Sequence, residues 1–190
     1  MWHAINRYKY AVTALCVGFS LAAMAAFPSR AETDGLAPYF KELADPNDPG
    51  WSRAEADIRR AWSRSGSPAM DLLLKRGETA LDDGDTEAAI EHFTALVDHA
   101  PDFAEGWNGR ATAYFMAGLY GPAASDIAHV LKLEPRHWGA LAGLGAMLEE
   151  MGDDSRALKA YQASFALNPH QQDVKDAIAR LDKTHQGTAL

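Results

Sequence analysis

The residues of this chain able to do chemistry are its histidines and acids. It has seven His, 26 Asp and Glu against 18 Lys and Arg, and one Cys. A zinc or copper site needs three or four donors, each about 2 Å from one metal. His92 and His99 are seven residues apart, His129 and His137 lie further on, and no pair has the i, i+4 spacing that sets two imidazoles on one helix face. The motif HExxH is absent. Asp82-Asp83-Gly84-Asp85 and Gly152-Asp153-Asp154 have the composition of turns, where Asp caps a following helix. The first of them lacks the alternating acids and distant Glu of a calcium loop. Ser65-Gly66-Ser67 lacks the flanks of a nucleophile elbow. There is no Gly-rich phosphate loop. These patterns predict no catalytic residue, no metal and no cofactor.

Such a chain must act through its shape, so the elements matter most. The 190 residues carry a net charge of −8, which argues against sequence-independent nucleic-acid binding. Arg7 and Lys9 precede an apolar run from Ala11 to Ala26, then Pro28 and Ser29-Arg30-Ala31. That order of basic, apolar and small-residue regions predicts a secretory signal peptide over 1–31, cut after Ala31 or alternatively after Ala25. Removing 1–31 takes away three cations, no acid and Cys16, and moves the charge from −8 to −11. The alternative is an uncleaved N-terminal anchor, although the run is short for about 30 Å of hydrocarbon.

A fixed period dominates the rest. Pro101, Pro135 and Pro169 are 34 apart, as are Gly84, Gly118 and Gly152, and Ala89, Ala123 and Ala157. Each period holds two apolar-periodic runs split by a Gly suited to ending a helix. No run alternates as a strand would, so the chain reads as all-α. Asp102 with Glu105, Asn168 with Gln171, and Ser52 with Glu55 have capping-box spacing. Pro169 is placed to open a helix.

The register resembles the tetratricopeptide repeat (TPR), W-x2-L-G-x2-Y, then A-x3-F, then P. The matches are Leu73, Gly77, Ala80, Ala89, Phe93 and Pro101; Trp107, Ala111, Tyr114, Ala123, Ile127 and Pro135; and Leu141, Gly145, Leu148, Ala157, Tyr161 and Pro169. Arg76 and Arg110 stand where Leu is usual, and Ala111 where Gly is. The resemblance implies a right-handed helical-hairpin solenoid with repeats at 70–103, 104–137 and 138–171. Val174, Ile178 and Leu181 mark a C-terminal capping helix, 172–185, before a frayed tail, 186–190. Residues 32–69 read as a capping region or a degenerate repeat, with Trp51, Trp62 and Trp138 either packing it or forming an exposed patch.

The resemblance also implies a concave peptide groove. Its inward positions fall on Asp71, Leu74, Glu78 and Leu81, then Glu105, Asn108, Thr112, Phe115 and Met116, then Gly139, Ala142, Ala146 and Glu149. Leu74, Glu78, Gly109, Gly139 and Gly143 stand where related chaperone-binding domains carry a cationic carboxylate clamp, so the resemblance favours a basic or apolar peptide. The expected role is a non-catalytic protein–protein adaptor in the bacterial periplasm, with no nucleic acid and no stable membrane insertion after leader cleavage. The alternative is a structural subunit anchored in the inner membrane.

Overall fold

The computed structural model describes residues 35–188, so the expected leader lies outside the described residues. Nine helices and no strand occur among them. They are α1 (Ala37–Ala44), α2 (Trp51–Trp62), α3 (Pro68–Asp82), α4 (Thr86–His99), α5 (Ala104–Met116), α6 (Tyr120–Leu133), α7 (Trp138–Glu150), α8 (Asp154–Leu167) and α9 (Gln172–Thr188). The pairs α3–α4, α5–α6 and α7–α8 are antiparallel hairpins that stack in chain order, and α9 packs on α8. α9 continues to Thr188, past the end expected at 185.

The turn inside each hairpin follows from its glycine. Gly84, Gly118 and Gly152 have φ of 75°, 73° and 77°, a region costly for any residue with a Cβ. The N–H groups of Asp85, Leu119 and Asp153 donate to the carbonyls of Ala80, Tyr114 and Leu148, each at 2.8 Å. This is the Schellman closure, which satisfies carbonyls that a helix end leaves open. Asp85 and Asp153 then cap α4 and α8 by accepting from Ala88 N and Arg156 N at 3.0 Å.

Three expected caps do not form. The N-caps of α2 and α5 are Gly50 and Phe103, with no side-chain bond, so Ser52 and Asp102 do not serve. Asn168 accepts instead from His170 N, and Gln171 donates to Asn168 O and Ser164 Oγ. Pro169 therefore lies in a turn before α9. Pro68 opens α3.

Residues 36–62 form a helical hairpin, but one that is not stacked on α3. It lies along the edge made by the inter-repeat turns, with α1 packed against α8. Phe40, Leu43, Ala54 and Ile58 bury themselves with Trp138, and Leu167 packs at their side. The Trp62 ring stacks on His137 at 4.4 Å and tilts on Trp138 at 4.5 Å, while Trp51 stacks on His170 at 4.1 Å. The Arg136 guanidinium lies 3.9 Å from the Phe40 ring centre. Thus the three off-pattern tryptophans fasten a strap to the third repeat, because among the described residues their large faces find ring partners at that edge. Among the described residues, four buried side-chain nitrogens lack a protein partner, Trp62 Nε1, Trp138 Nε1, Asn168 Nδ2 and His170 Nε2, and all belong to this strap and the residues it meets.

Candidate functional site

Each repeat closes its own hairpin by pressing one side chain of its second helix onto a small residue of its first. Phe93 lies over Gly77, where a Cβ would come within 2.6 Å of the ring. Tyr161 lies over Gly145 in the same way, also at 2.6 Å. The middle repeat swaps volume between partners: Ala111 replaces the glycine, and the shorter Ile127 replaces the aromatic ring.

That swap decides what happens between repeats. Phe93 also reaches forward onto α5, where a Cβ on Gly109 would lie 2.3 Å from it. Ile127 does not reach α7 in the same way, and a Cβ on Gly143, one repeat after Gly109, would meet nothing within 4 Å. A cleft of about 100 Å³ remains, lined by Asn108, Thr112, Phe115, Ile127, Gly139 and Gly143. Ala111 and Ala140, both buried, complete its wall.

The polar groups beside it are oriented. Ala140 N–H donates to His137 Nδ1 at 3.0 Å, so the ring proton resides on Nε2, which donates to Glu105 at 3.2 Å. Asn108 Nδ2 donates to the other Glu105 oxygen at 3.3 Å. This leaves the Asn108 side-chain oxygen without a partner among the described residues. Thr112 Oγ donates to Asn108 O at 3.0 Å. Behind the cleft, Arg110 holds Asp126 in a two-pronged pair at 2.7 and 3.0 Å, with its guanidinium 4.8 Å from the Trp107 ring centre. The Asp126 hydrogen bond raises the Arg110 pKa above its ordinary value, against the cost of burial. This explains why Arg stands at a position usually given to Leu.

Of the residues expected in the groove, Asn108, Thr112 and Phe115 share this cleft. Met116 is half exposed at the end of α5. Leu74 is buried in the first repeat's core, and Leu81 packs against that core, so neither forms a groove wall as expected. Glu78 faces solvent and pairs loosely with Lys75 at 3.8 Å. Asp71 accepts from Ser65 N at 2.8 Å and Ser65 Oγ at 2.6 Å, which holds its carboxyl below the ordinary range. Ala142 and Ala146 pack against the core shared by α8 and α9. Glu149 accepts from Arg180, whose bond lowers its pKa, and from Tyr161 Oη at 3.2 Å. Neighbouring first helices present different faces to the cleft they share. On α7 the cleft-facing positions are therefore Gly139 and Gly143, while 142, 146 and 149 face onward to α8 and α9. The paired departures at Ala111 and Ile127 were the available signal that this seam would stay open.

Among the described residues, no three of His, Cys, Asp and Glu are grouped to hold a metal ion. No helix among them is long and apolar enough to cross a membrane.

A family model described as a tetratricopeptide repeat matches residues 74–128. A TPR repeat-containing protein of Rhizobium etli is 36% identical over 143 residues, which cover 75% of this chain and 70% of the relative. The chain belongs to the TPR family. Its three TPR hairpins agree with the 34-residue register of the sequence. A small glutamine-rich TPR-containing protein 2 of Mycosarcoma maydis is 27% identical over 57% of this chain but only 31% of its own length. Among solved structures, MamA superposes with a TM-score of 0.58 at 23% identity over 75% of this chain and 85% of MamA. The first TPR domain of Spaghetti (RPAP3), bound to the HSP90 peptide SRMEEVD, superposes at 0.59 with 21% identity over 62% of this chain and 95% of its own. At these identities the structural likenesses establish the TPR fold alone.

Proposed function

We propose that this TPR protein is a non-catalytic protein–protein interaction module whose α5–α7 cleft docks a basic or apolar peptide segment. The observation that carries this reading is the open seam at Gly143, an apolar cleft with one free amide oxygen at its rim. Support comes from TPR neighbours whose structures hold partners, including Spaghetti with an HSP90 peptide and yeast Sti1 in a pHsp70 complex. Those ligands do not transfer. SRMEEVD is acidic, whereas Leu74, Glu78, Gly109, Gly139 and Gly143 offer no cation here. Glu105 beside the cleft would repel an acidic chain. The basic and apolar order of residues 1–31 supports export, and we place the module in the bacterial cell envelope as an adaptor. Binding in the micromolar range fits so small a cleft, at about −8 kcal/mol.

The test is a scan of a peptide library against the wild type and Gly143→Leu. The new side chain enters open space on a helix, so the variant stays folded and fills the cleft. Basic and apolar peptides retained by the wild type and lost by the variant are the expected result. Retention of acidic C-terminal peptides, or equal binding by both proteins, would sink the groove model. The mass of the N-terminus recovered from cells tests the export reading, and intact residues 1–31 in the membrane fraction favour an anchored subunit instead.

A further inference from the structure

The first repeat leaves bare a face that the other two repeats cover. In the second repeat, Gly106, Gly109, Arg110 and Ala113 lie under α4: Gly106 is packed on Leu96 and Val97, Gly109 on Phe93, and Arg110 reaches Thr94 Oγ at 3.5 Å. One period earlier the same positions are Leu72, Lys75, Arg76 and Thr79. No described helix covers them, because the strap lies along the turn edge instead of on α3. Leu72 is 50% exposed, although its counterparts Gly106 and Ala140 are buried. Arg76 has no acid opposite it: His92 stands where Asp126 faces Arg110. The result is an open depression of about 470 Å³ whose lining includes Lys75, Arg76, Thr79, Asp83 and His92.

The charges on this face are ordered along α3. Lys75 and Arg76 lie on one side of Thr79, and Asp82 and Asp83 on the other, with spacings of four and three in each direction. Asp82 and Asp83 close the helix at its negative end, with no basic residue in the last turn to offset them. Apart from the weak Lys75–Glu78 pair, these four side chains make no ion pair among the described residues. Thr79 Oγ donates to Lys75 O at 2.9 Å, so its hydroxyl is satisfied within the helix and can be covered without an orphaned donor.

We infer that this face binds a second copy of itself, with α3 crossing α3 antiparallel at Thr79. A two-fold axis there sets Lys75 opposite Asp83 of the second copy and Arg76 opposite Asp82, twice over, which is the self-complementarity an isologous contact requires. It also covers Leu72 and supplies cations to the acidic helix end. The contact is small and charge-rich, so the dimer is weak and loosens with salt.

Sedimentation equilibrium on the protein as recovered from the producing cell tests this. The expected result is a monomer–dimer equilibrium that shifts at least tenfold toward monomer between low and high salt. Lys75→Glu/Arg76→Glu and Asp82→Lys/Asp83→Lys should each be monomeric, and mixing the two should restore a heterodimer. A wild type that stays monomeric into the millimolar range, or a dimer indifferent to both variants, overturns the inference. Should either variant unfold, Thr79→Cys in a Cys16→Ser background keeps it testable. It should form an intermolecular disulfide much faster than Gln162→Cys, on the far end of the stack. Equal rates overturn it.

Discussion

The seam between α4 and α5 and the seam between α6 and α7 occupy the same place in successive repeats, yet one is sealed and the other open. At the first, the Phe93 ring is clasped between Gly77 and Gly109. At the second, Ile127 meets Ala111, stops short, and leaves Gly143 facing space. Two glycines at one repeat position therefore have opposite meanings. Gly109 is small because it must be, and Gly143 is small although nothing touches it. A gap left by one ring becomes a place where a partner's side chain can sit.

Substituting those two glycines by Ala breaks the comparison most sharply. Gly109→Ala drives a Cβ into Phe93 and should lose about 3 kcal/mol by urea unfolding, within the range for overpacked cores. Gly143→Ala should gain up to about 1 kcal/mol, from helix propensity alone. Equal effects would show that the two seams are packed alike.

Next in size is Asp126→Ala, which leaves the Arg110 guanidinium half-buried and unpaired. Breaking a buried pair costs about 3–5 kcal/mol, and access of Arg110 to water reduces this to about 2 kcal/mol. The matching change to Arg110→Leu/Asp126→Ala should recover most of the loss, as measured by thermal melting.

Converting the open seam into the sealed one sharpens the comparison. Ala111→Gly/Ile127→Phe reproduces the first repeat's pairing and should change stability by less than about 1 kcal/mol, since volume is conserved. It should abolish peptide binding. Binding that survives in a folded double variant would separate the cleft from the function.

The smallest effect concerns the third repeat, where Tyr161 fills the place of Phe93. Burial, with Glu149 adding to it, pushes its hydroxyl up to about 12 from an ordinary 10.0. Its folded pKa is the higher one, so its contribution is complete below pH 10 and disappears as pH rises through about 12. Absorbance titration should show a late-ionising tyrosine that Tyr161→Phe removes, and that variant should flatten the alkaline fall in melting temperature.

The repeat phase was legible because Gly84, Gly118 and Gly152 need a positive φ that few residues tolerate. Asn108, Thr112 and Phe115 were also legible, because α5 turns the expected face to the cleft. On α7 only Gly139 was; Ala142, Ala146 and Glu149 were not, because helical phase says which side chains share a face, but not which neighbour that face meets. Ala142 and Glu149 therefore belong to the junction with α8 and α9. The helices of the strap were legible, but where it docks was not, for a different reason. Its position next to repeat one in the chain suggested stacking there, whereas Trp62 finds its partners at His137 and Trp138, far along the sequence.

That strap changes how the molecule should fold and melt. A plain solenoid couples only nearest neighbours and behaves as a one-dimensional array that can fray from either end. Here the Trp62–Trp138 and Trp51–His170 contacts join the start of the array to its last hairpin. The array becomes a closed circuit, and the third repeat cannot fray without releasing the N-terminal helices. Cooperativity between the ends is then written into two ring contacts, and closing that long loop late would be the slow step of folding.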